Sequence, residues 1–433
     1  FGAGMNMTTG FSRRNFLTSS AAVTAAATRA SRGTHYAIAQ GTERIKVGLV
    51  GCGGRGTGAA RDAMSASPLV DIVAMGDLFQ DRVDEKRAVL SKTGEKNDQP
   101  NPQFKVTDAT CFTGFDAYRK VIDSDIDYVI LTEPPGFRPD HFRYAVDKGR
   151  HVFAEKPVAV DPVGIRKFRD AGKIADQKKL SVVGGFCFRR DKTHCDTIKK
   201  IHEGAIGDLV SGNSYYNVGY LWQHPRKPEW TDLEYQIRNW LYFTWLSGDL
   251  IVEQNIHRID IQNWIMKGPP VKAYGMGGRQ VRTDPAYGHI YDHFAVEFEY
   301  ANGVKVSNMC RQIDGTDPRV SEMYYGTKGA ADPASGIKGD KSRKKGDPLS
   351  VAYRQEHVDL IEAITSGKQV NESEALCDST LTGIMGRMSA YTGKEVTWEQ
   401  AKESKLDLWP KQELAFGPFP VAPVAIPGKD PLV

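Results

Sequence analysis

The sequence predicts an α/β chain: an N-terminal Rossmann-type, doubly wound parallel sheet, followed by an α+β domain with an open, mainly antiparallel sheet. Three observations carry that prediction. From Ile45 to about Val158, short apolar strands alternate with amphipathic helical stretches, as a parallel sheet with crossover helices requires. The first strand, Ile45-Lys46-Val47-Gly48-Leu49-Val50, runs into Gly51-Cys52-Gly53-Gly54-Arg55-Gly56, a Gly-x-Gly-x-x-Gly turn that opens a helix. Farther along, Val271 to Met276, His293 to Tyr300 and Gly303 to Met309 alternate apolar and polar residues, with Ala301-Asn302-Gly303 as a turn. That is the pattern of antiparallel strands.

The first residues differ from the rest. Ser12-Arg13-Arg14-Asn15-Phe16-Leu17 precedes an Ala-rich stretch from Thr18 to Ala27, and Ala37-Ile38-Ala39 fits a small-residue cleavage site. This looks like a twin-arginine export signal, so residues 1–39 are read as a leader and the protein as periplasmic or otherwise exported. A disordered leader or an N-terminal helix is the other reading. The apolar part is shorter than the ~18 residues of a membrane span, and no span is expected elsewhere. The remaining ~390 residues exceed what one core organises. They divide into a dinucleotide-binding domain over residues 44–165, a substrate-binding and oligomerisation domain over 166–408, and a strap over 409–433 in which six prolines stand. A net charge of +4, part of it in the run Lys338 to Lys345, gives no basic stripe and excludes a nucleic-acid binder. Six scattered cysteines without Cys-x-x-Cys spacing offer no metal site and no readable disulfide framework.

The strands then follow in order. After the first, Gly51 permits the tight turn, Gly53 lets the backbone approach a pyrophosphate, and Gly56 lets the helix pack on the sheet with its N-terminal amides toward the anion. A second apolar run, Leu69 to Gly76, ends on Asp77 about 20 residues past the last glycine. A carboxylate there accepts from the adenosine ribose hydroxyls and repels the extra phosphate of NADP, so NAD is expected. Further strands fall at Thr110 to Phe112, Tyr128 to Thr132 and His151 to Ala154, with a helix from Arg138 to Lys148 that ends on Gly149. The break Glu133-Pro134-Pro135-Gly136 stands at the carboxyl end of a strand, where such sheets bind ligands. Glu155-Lys156-Pro157 follows the next strand; Lys156 there either aims its ammonium into the crevice or pairs with Glu155 or solvent.

Glu253 and His257 are four residues apart, so a continuous helix sets both on one face. An imidazole poised near neutral pH can take a hydroxyl proton; a satisfied polar contact at the domain seam is the other reading. Between Tyr215 and Trp245 aromatics crowd, among them Tyr220, Trp222 and Trp240, with Arg238 and other polar residues between them. Rings of this kind suit a carbohydrate cleft or a subunit interface, and both stay open.

Taken together, the glycine motif, Asp77, Thr132 to His141 and Gly149-Arg150-His151-Val152-Phe153-Ala154-Glu155-Lys156-Pro157 resemble the glucose-fructose oxidoreductase / inositol dehydrogenase (Gfo/Idh/MocA) family. The likeness continues through Gly204 to Asp208, Gly248 to Asp260 and Tyr391 to Val396. It implies an NAD-dependent oxidoreductase acting on a sugar or cyclitol carbinol, with Lys156, His257 and Glu253 at the chemistry. It implies cofactor contacts from Gly51, Gly53, Gly54, Arg55, Gly56, Asp77, Thr132, Pro134, His141, Glu155 and Lys156. Asn255, Arg238, Trp240, Tyr220 and Trp222 are the substrate-side candidates, no metal is implied, and a homodimer or homotetramer is. The family's Asp-x-Gly-x-His pattern stands here as Glu253-Gln254-Asn255-Ile256-His257, with a longer acid and a bulkier central residue. Export argues for a cofactor held tightly and regenerated within the protein's own cycle. Oxidation with return of the hydride to a second carbonyl substrate meets that demand. So does a redox-neutral glycosidase or lyase of the same fold, which oxidises, eliminates and re-reduces; a non-catalytic sugar-binding protein is the third reading.

Overall fold

The structure, a computed structural model, describes residues 44–94, 97–340 and 347–432. The arginine pair, the rest of the leader and most of the basic run at 338–345 lie outside the described residues. The first sheet is built from β1 (Ile45–Val50), α1 (Gly54–Ala66), β2 (Val70–Asp77), α2 (Gln80–Leu90), the small hairpin β3 (Lys92–Gly94) and β4 (Asn97–Pro100), β5 (Cys111–Thr113), α3 (Ala117–Asp123), β6 (Tyr128–Leu131), α4 (Arg138–Asp147), β7 (His151–Ala154), α5 (Pro162–Gln177) and β8 (Val182–Gly184). Six strands run parallel in the order β5-β2-β1-β6-β7-β8. The order reverses at β1, so the glycine turn leaves the sheet at the switch point where ligands bind. Val129, Ile130 and Leu131 in β6 are fully buried, each stabilising the fold by roughly 1.5–3 kcal/mol. The sixth strand, β8, reaches past residue 165; at three residues it is too short to show a pattern in the sequence.

The second domain continues with α6 (Lys192–His202), β9 (Leu209–Val218), α7 (Asp232–Arg238), α8 (Thr244–Ser247), α9 (Leu250–Glu253), α10 (Ile256–Met266), β10 (Lys272–Gly278), β11 (His293–Glu299), β12 (Lys305–Gln312), β13 (Arg319–Gly326), β14 (Gly329–Asp332), β15 (Gly336–Ile337), α11 (Leu349–Ser366), α12 (Ser373–Thr392), β16 (Val396–Thr397) and α13 (Trp398–Glu403). Eight strands form one sheet, β15-β14-β13-β9-β12-β11-β10-β16, antiparallel except where β9 and β12 run side by side. Helix α12 is buried along most of its length behind this sheet. A Cβ on Gly386 would stand 3.0 Å from the Phe298 ring, and Ser389 Oγ accepts from the Gly275 N–H at 2.8 Å. The opposite face leaves Tyr274, Met276, Met309 and Tyr325 exposed.

From Trp409 the chain carries no helix or strand and is tied down by contacts. The Leu408 N–H donates to Asp161 at 2.8 Å, the Phe419 carbonyl accepts from Gln236 at 3.0 Å, and Tyr291 donates to the Ala425 carbonyl at 2.9 Å. All six cysteines are free thiols. Among the described residues no helix is long and apolar enough to cross a membrane, and no cluster of His, Cys, Asp or Glu could hold a metal.

Candidate active site and cofactor cleft

A cavity of about 690 Å³ opens at the carboxyl ends of β1, β2 and β6. Gly51 adopts a φ of +90°, and a Cβ on Gly56 would stand 1.9 Å from the Gly51 carbonyl oxygen and 2.6 Å from Thr132 Oγ1. Thr132 pins that turn, its hydroxyl within 2.7 Å of the Gly51 carbonyl. Over Gly54, at the start of α1, a Cβ would meet nothing within 4 Å. The turn is therefore closed beneath and open above, the shape a pyrophosphate needs at a helix N-terminus.

Asp77 accepts from the Cys52 N–H at 2.7 Å and the Phe79 N–H at 3.0 Å, one on each oxygen. Burial pushes its carboxyl above the usual range, with those amides acting against the rise. Each oxygen keeps a lone pair for a ribose hydroxyl. Glu133 also lines the cavity, buried, with neither carboxylate oxygen hydrogen-bonded among the described residues. His141 Nδ1 lies 3.3 Å and Arg138 Nε 3.9 Å from Glu133 Oε1, and the His141 ring stacks on Tyr118 at 3.7 Å. An acceptor without donors on the wall fits a ligand rich in hydroxyl and amide groups, as a dinucleotide is. Pro134, Arg55 and Gly53 complete that wall. The sequence reading passed over Glu133; its one signal was a carboxylate directly after strand β6.

The residues expected at the chemistry meet just past the end of β7. Lys156 Nζ donates to the Glu253 carbonyl at 2.9 Å and to Glu253 Oε1 at 3.0 Å. Gln254 donates to Glu253 Oε2 at 2.5 Å and accepts from the Tyr216 hydroxyl at 3.0 Å. Glu155 is buried and structural: it accepts from Arg55 Nε at 2.5 Å and from the Lys156 N–H at 3.1 Å. The expected continuous helix is interrupted between α9 and α10 at Gln254 and Asn255. Across that break Glu253 serves the lysine, while the His257 Nδ1 is buried with no hydrogen-bond partner among the described residues. The His257 ring stands edge-on to Phe188 at 5.5 Å. Asn255, expected to touch substrate, is fully buried with its amide on Asn308 at 2.5 Å, holding the break against β12. Tyr216 and Gln254 are the members of this group that the sequence did not single out.

The electrostatics divide the labour. Burial works against the Lys156 charge, but the Glu253 and Glu155 carboxylates outweigh it and raise the ammonium above its ordinary value. Burial, then the positive charges of Lys156, Arg258 and Arg55, push the His257 imidazole well below its ordinary value. At neutral pH the site thus holds a charged donor and an uncharged proton acceptor. A lowered imidazole stays unprotonated through pH 6.5, so the acid limb of a kcat/KM profile falls below that pH. An inflection at or above 6.5 that vanishes in His257→Gln contradicts this assignment.

The aromatic segment is placed differently from the expectation. Trp222, Arg238 and Trp240, with Trp230, line the cavity on the side of Asp77 and Asp81; Lys156, Glu253 and His257 are not among its walls. Arg238 bonds Asp81 through both terminal nitrogens, at 3.0 and 3.1 Å, across 157 residues of sequence. Tyr220 stands apart, 5.4 Å from the Tyr287 ring, its N–H on Asp314 at 2.7 Å. These residues therefore wall the cofactor cleft or pack beside it, because the chain between β9 and α7 turns back over the parallel sheet.

Comparison with known proteins agrees with this geometry. Residues 45–185 match the model of the oxidoreductase family with an NAD-binding Rossmann fold, and residues 197–332 match the GFO/IDH/MocA C-terminal domain. A glycosyl hydrolase family 109 protein of Streptomyces niveus is 28% identical over 48% of this chain and 38% of its own length. Inositol 2-dehydrogenase of Rhizobium meliloti is 26% identical over 48% of this chain and 57% of its own length. The chain thus spans roughly two-fifths to three-fifths of these curated relatives. Among solved structures, scyllo-inositol dehydrogenase of Lactobacillus casei with bound NAD(H) and scyllo-inositol superposes with a TM-score of 0.62 at 18% identity, covering 82% of this chain and 99% of that one. With both domains matched and the dinucleotide cradle intact, this chain belongs to the Gfo/Idh/MocA oxidoreductase family and carries its NAD-binding Rossmann domain.

Proposed function

We propose that the protein oxidises a secondary hydroxyl of a sugar or cyclitol. The carrying observation is the Lys156 ammonium, held at 2.9 and 3.0 Å by Glu253 beside a neutral, partly exposed His257 at the end of the cofactor-binding sheet. NAD, when bound by the glycine turn, Asp77 and Glu133, supplies a two-electron hydride acceptor. Two of the three Lys156 protons are engaged by Glu253, which leaves one for the substrate oxygen. That hydrogen bond favours the developing alkoxide. His257 takes the hydroxyl proton as the C–H bond breaks, leaving a carbonyl.

A redox-neutral glycosidase is the second reading, favoured by the family 109 names of several curated relatives. In that cycle the ketone acidifies the neighbouring C–H, and loss of that proton expels the aglycone to leave an enone; water then adds across the double bond, returning a solvent proton to that carbon, and the hydride restores the hydroxyl. The Tyr216 phenol, bonded to Gln254 at 3.0 Å and raised above its ordinary value by burial with the Lys156 charge acting against the rise, is a proton-transfer group for such a step. Turnover of a nitrophenyl glycoside in heavy water separates the two. Oxidation yields a keto-sugar and reduced cofactor that stalls until a carbonyl acceptor is added, whereas elimination releases nitrophenol and leaves deuterium at the sugar's second carbon. Mass spectrometry of the product decides, and deuterium there together with released aglycone overturns the first reading.

The reading extends to assembly and location. Exposed Tyr274, Met276, Met309 and Tyr325 on the open sheet face support self-association as a dimer or tetramer, which sedentation of a Met276→Glu variant checks by loss of the oligomer. The Ser12 to Leu17 motif supports export of the folded, cofactor-loaded protein. Retention in the cytoplasm with both arginines intact contradicts it.

A further inference from the structure

We infer that the second domain and the C-terminal strap close a clasp over the adenosine end of the bound dinucleotide, with the Arg238–Asp81 pair as its catch. The inference rests on the reading that the cleft holds NAD. The wall at this end begins with Asp77, the last residue of β2, and Phe79 just past it, and continues through Phe115, Trp222, Trp230 and Trp240. Aromatic and apolar surface of this kind suits a purine face, and a carboxylate beside it suits a ribose. Asp77, the acid placed to accept from the adenosine ribose, stands on this wall and marks it as the adenosine end.

Three separate chain segments meet here. Asp81 and Phe79 come from the parallel-sheet domain, Arg238 from α7, and Phe416 from the strap. The Arg238 guanidinium, its side chain only 12% exposed, bonds Asp81 with two nitrogens. It lies 3.9 Å from the Phe79 ring centroid and 4.9 Å from that of Trp230. Glu234, one turn earlier on α7, fixes the same guanidinium through Nε at 2.8 Å. Phe416 backs the wall from outside, 6.1 Å from Phe79 in a stacked arrangement and 5.3 Å from Phe115. A planar guanidinium held by two carboxylates and stacked on two rings is a rigid contact. The adenosine cannot leave the cleft in this direction without breaking it. The clasp thus provides a physical means for a slow release of cofactor that the Rossmann domain by itself lacks.

The test measures release of cofactor from the full chain, with no sugar present. Protein loaded with NADH is mixed with excess NAD, and the decay of bound-NADH fluorescence gives the off-rate. The expected result is an off-rate at least ~10-fold faster in Arg238→Ala and Asp81→Ala, a difference of ~1.4 kcal/mol in the release barrier. Phe416→Ala, on the half-exposed strap, is expected to give a smaller increase, about threefold. Arg238→Lys keeps the charge but not the two-pronged geometry, and it covers the case in which the alanine variant does not fold; its off-rate is expected near that of Asp81→Ala. Off-rates within twofold of wild type in the folded Arg238 and Phe416 variants overturn the clasp. The result is independent of the proposed activity. A protein that shows these off-rates yet oxidises no carbinol retains the clasp and loses the proposed reaction, whereas active protein with equal off-rates in wild type and variants loses the clasp alone.

Discussion

Lys156→Ala is expected to lower kcat for carbinol oxidation by about 10³-fold or more while near-stoichiometric NAD stays bound. The side chain has one proton free for substrate and two held by Glu253, so its removal takes away the donor that stabilises the developing alkoxide. It also strips the buried Glu253 carboxylate of its cation, which adds an unpaired charge beside the reacting carbon. Lys156→Arg is not expected to rescue, because a planar guanidinium does not reproduce the single ammonium point between the Glu253 carbonyl and carboxylate. Steady-state kinetics with quantitation of acid-released cofactor checks both halves. Turnover within a few-fold of wild type moves the chemistry away from Lys156. Loss of cofactor in parallel with activity makes Lys156 a cofactor-holding residue.

The two ends of this site were unequally legible in the sequence. Gly51, Gly56 and Asp77 declare themselves because the chemistry of a pyrophosphate turn is local: six consecutive residues fix the shape, and the strand after it fixes the acid. Lys156 is legible for the same reason, at the end of strand β7 with a proline behind it. The partners that give these residues their properties are not local. Glu253 stands 97 residues from Lys156, and the sequence leaves open whether it orients His257 or holds the lysine. The Arg238–Asp81 pair and the Tyr216–Gln254 bond are likewise products of folding. The interruption between α9 and α10 was hidden because neither Gln254 nor Asn255 is a helix breaker of the glycine or proline kind, and the buried Asn308 contact, not propensity, stabilises it. Aromatic density between Tyr215 and Trp245 suits a carbohydrate cleft or a subunit interface, and composition does not choose between them. The fold answers by turning that segment over the dinucleotide cleft.

Gly56→Val is expected to abolish cofactor binding, and its comparison with Gly54→Ala shows why. A Cβ at position 56 would lie 1.9 Å from the Gly51 carbonyl oxygen and 2.6 Å from Thr132 Oγ1. Neither neighbour can move freely: Gly51 donates its N–H to the Gly76 carbonyl at 2.9 Å, and the Thr132 hydroxyl is bonded to the Val50 and Gly51 carbonyls at 2.9 and 2.7 Å. The branched side chain must therefore push α1 away from the sheet or open the turn, costing about 1–3 kcal/mol or more of stability. Either displacement carries the helix N-terminus away from the phosphates. Bound NAD is expected to fall below about one-tenth of the wild-type stoichiometry, with a clear drop in Tm. At Gly54 a Cβ meets nothing within 4 Å, so Gly54→Ala leaves Tm of the cofactor-free protein within a degree or two of wild type. If the phosphates fill the space above it, the methyl group weakens NAD binding all the same. Unchanged NAD affinity in Gly54→Ala places the pyrophosphate elsewhere, and full NAD occupancy in Gly56→Val means the turn does not form the cradle that its geometry shows.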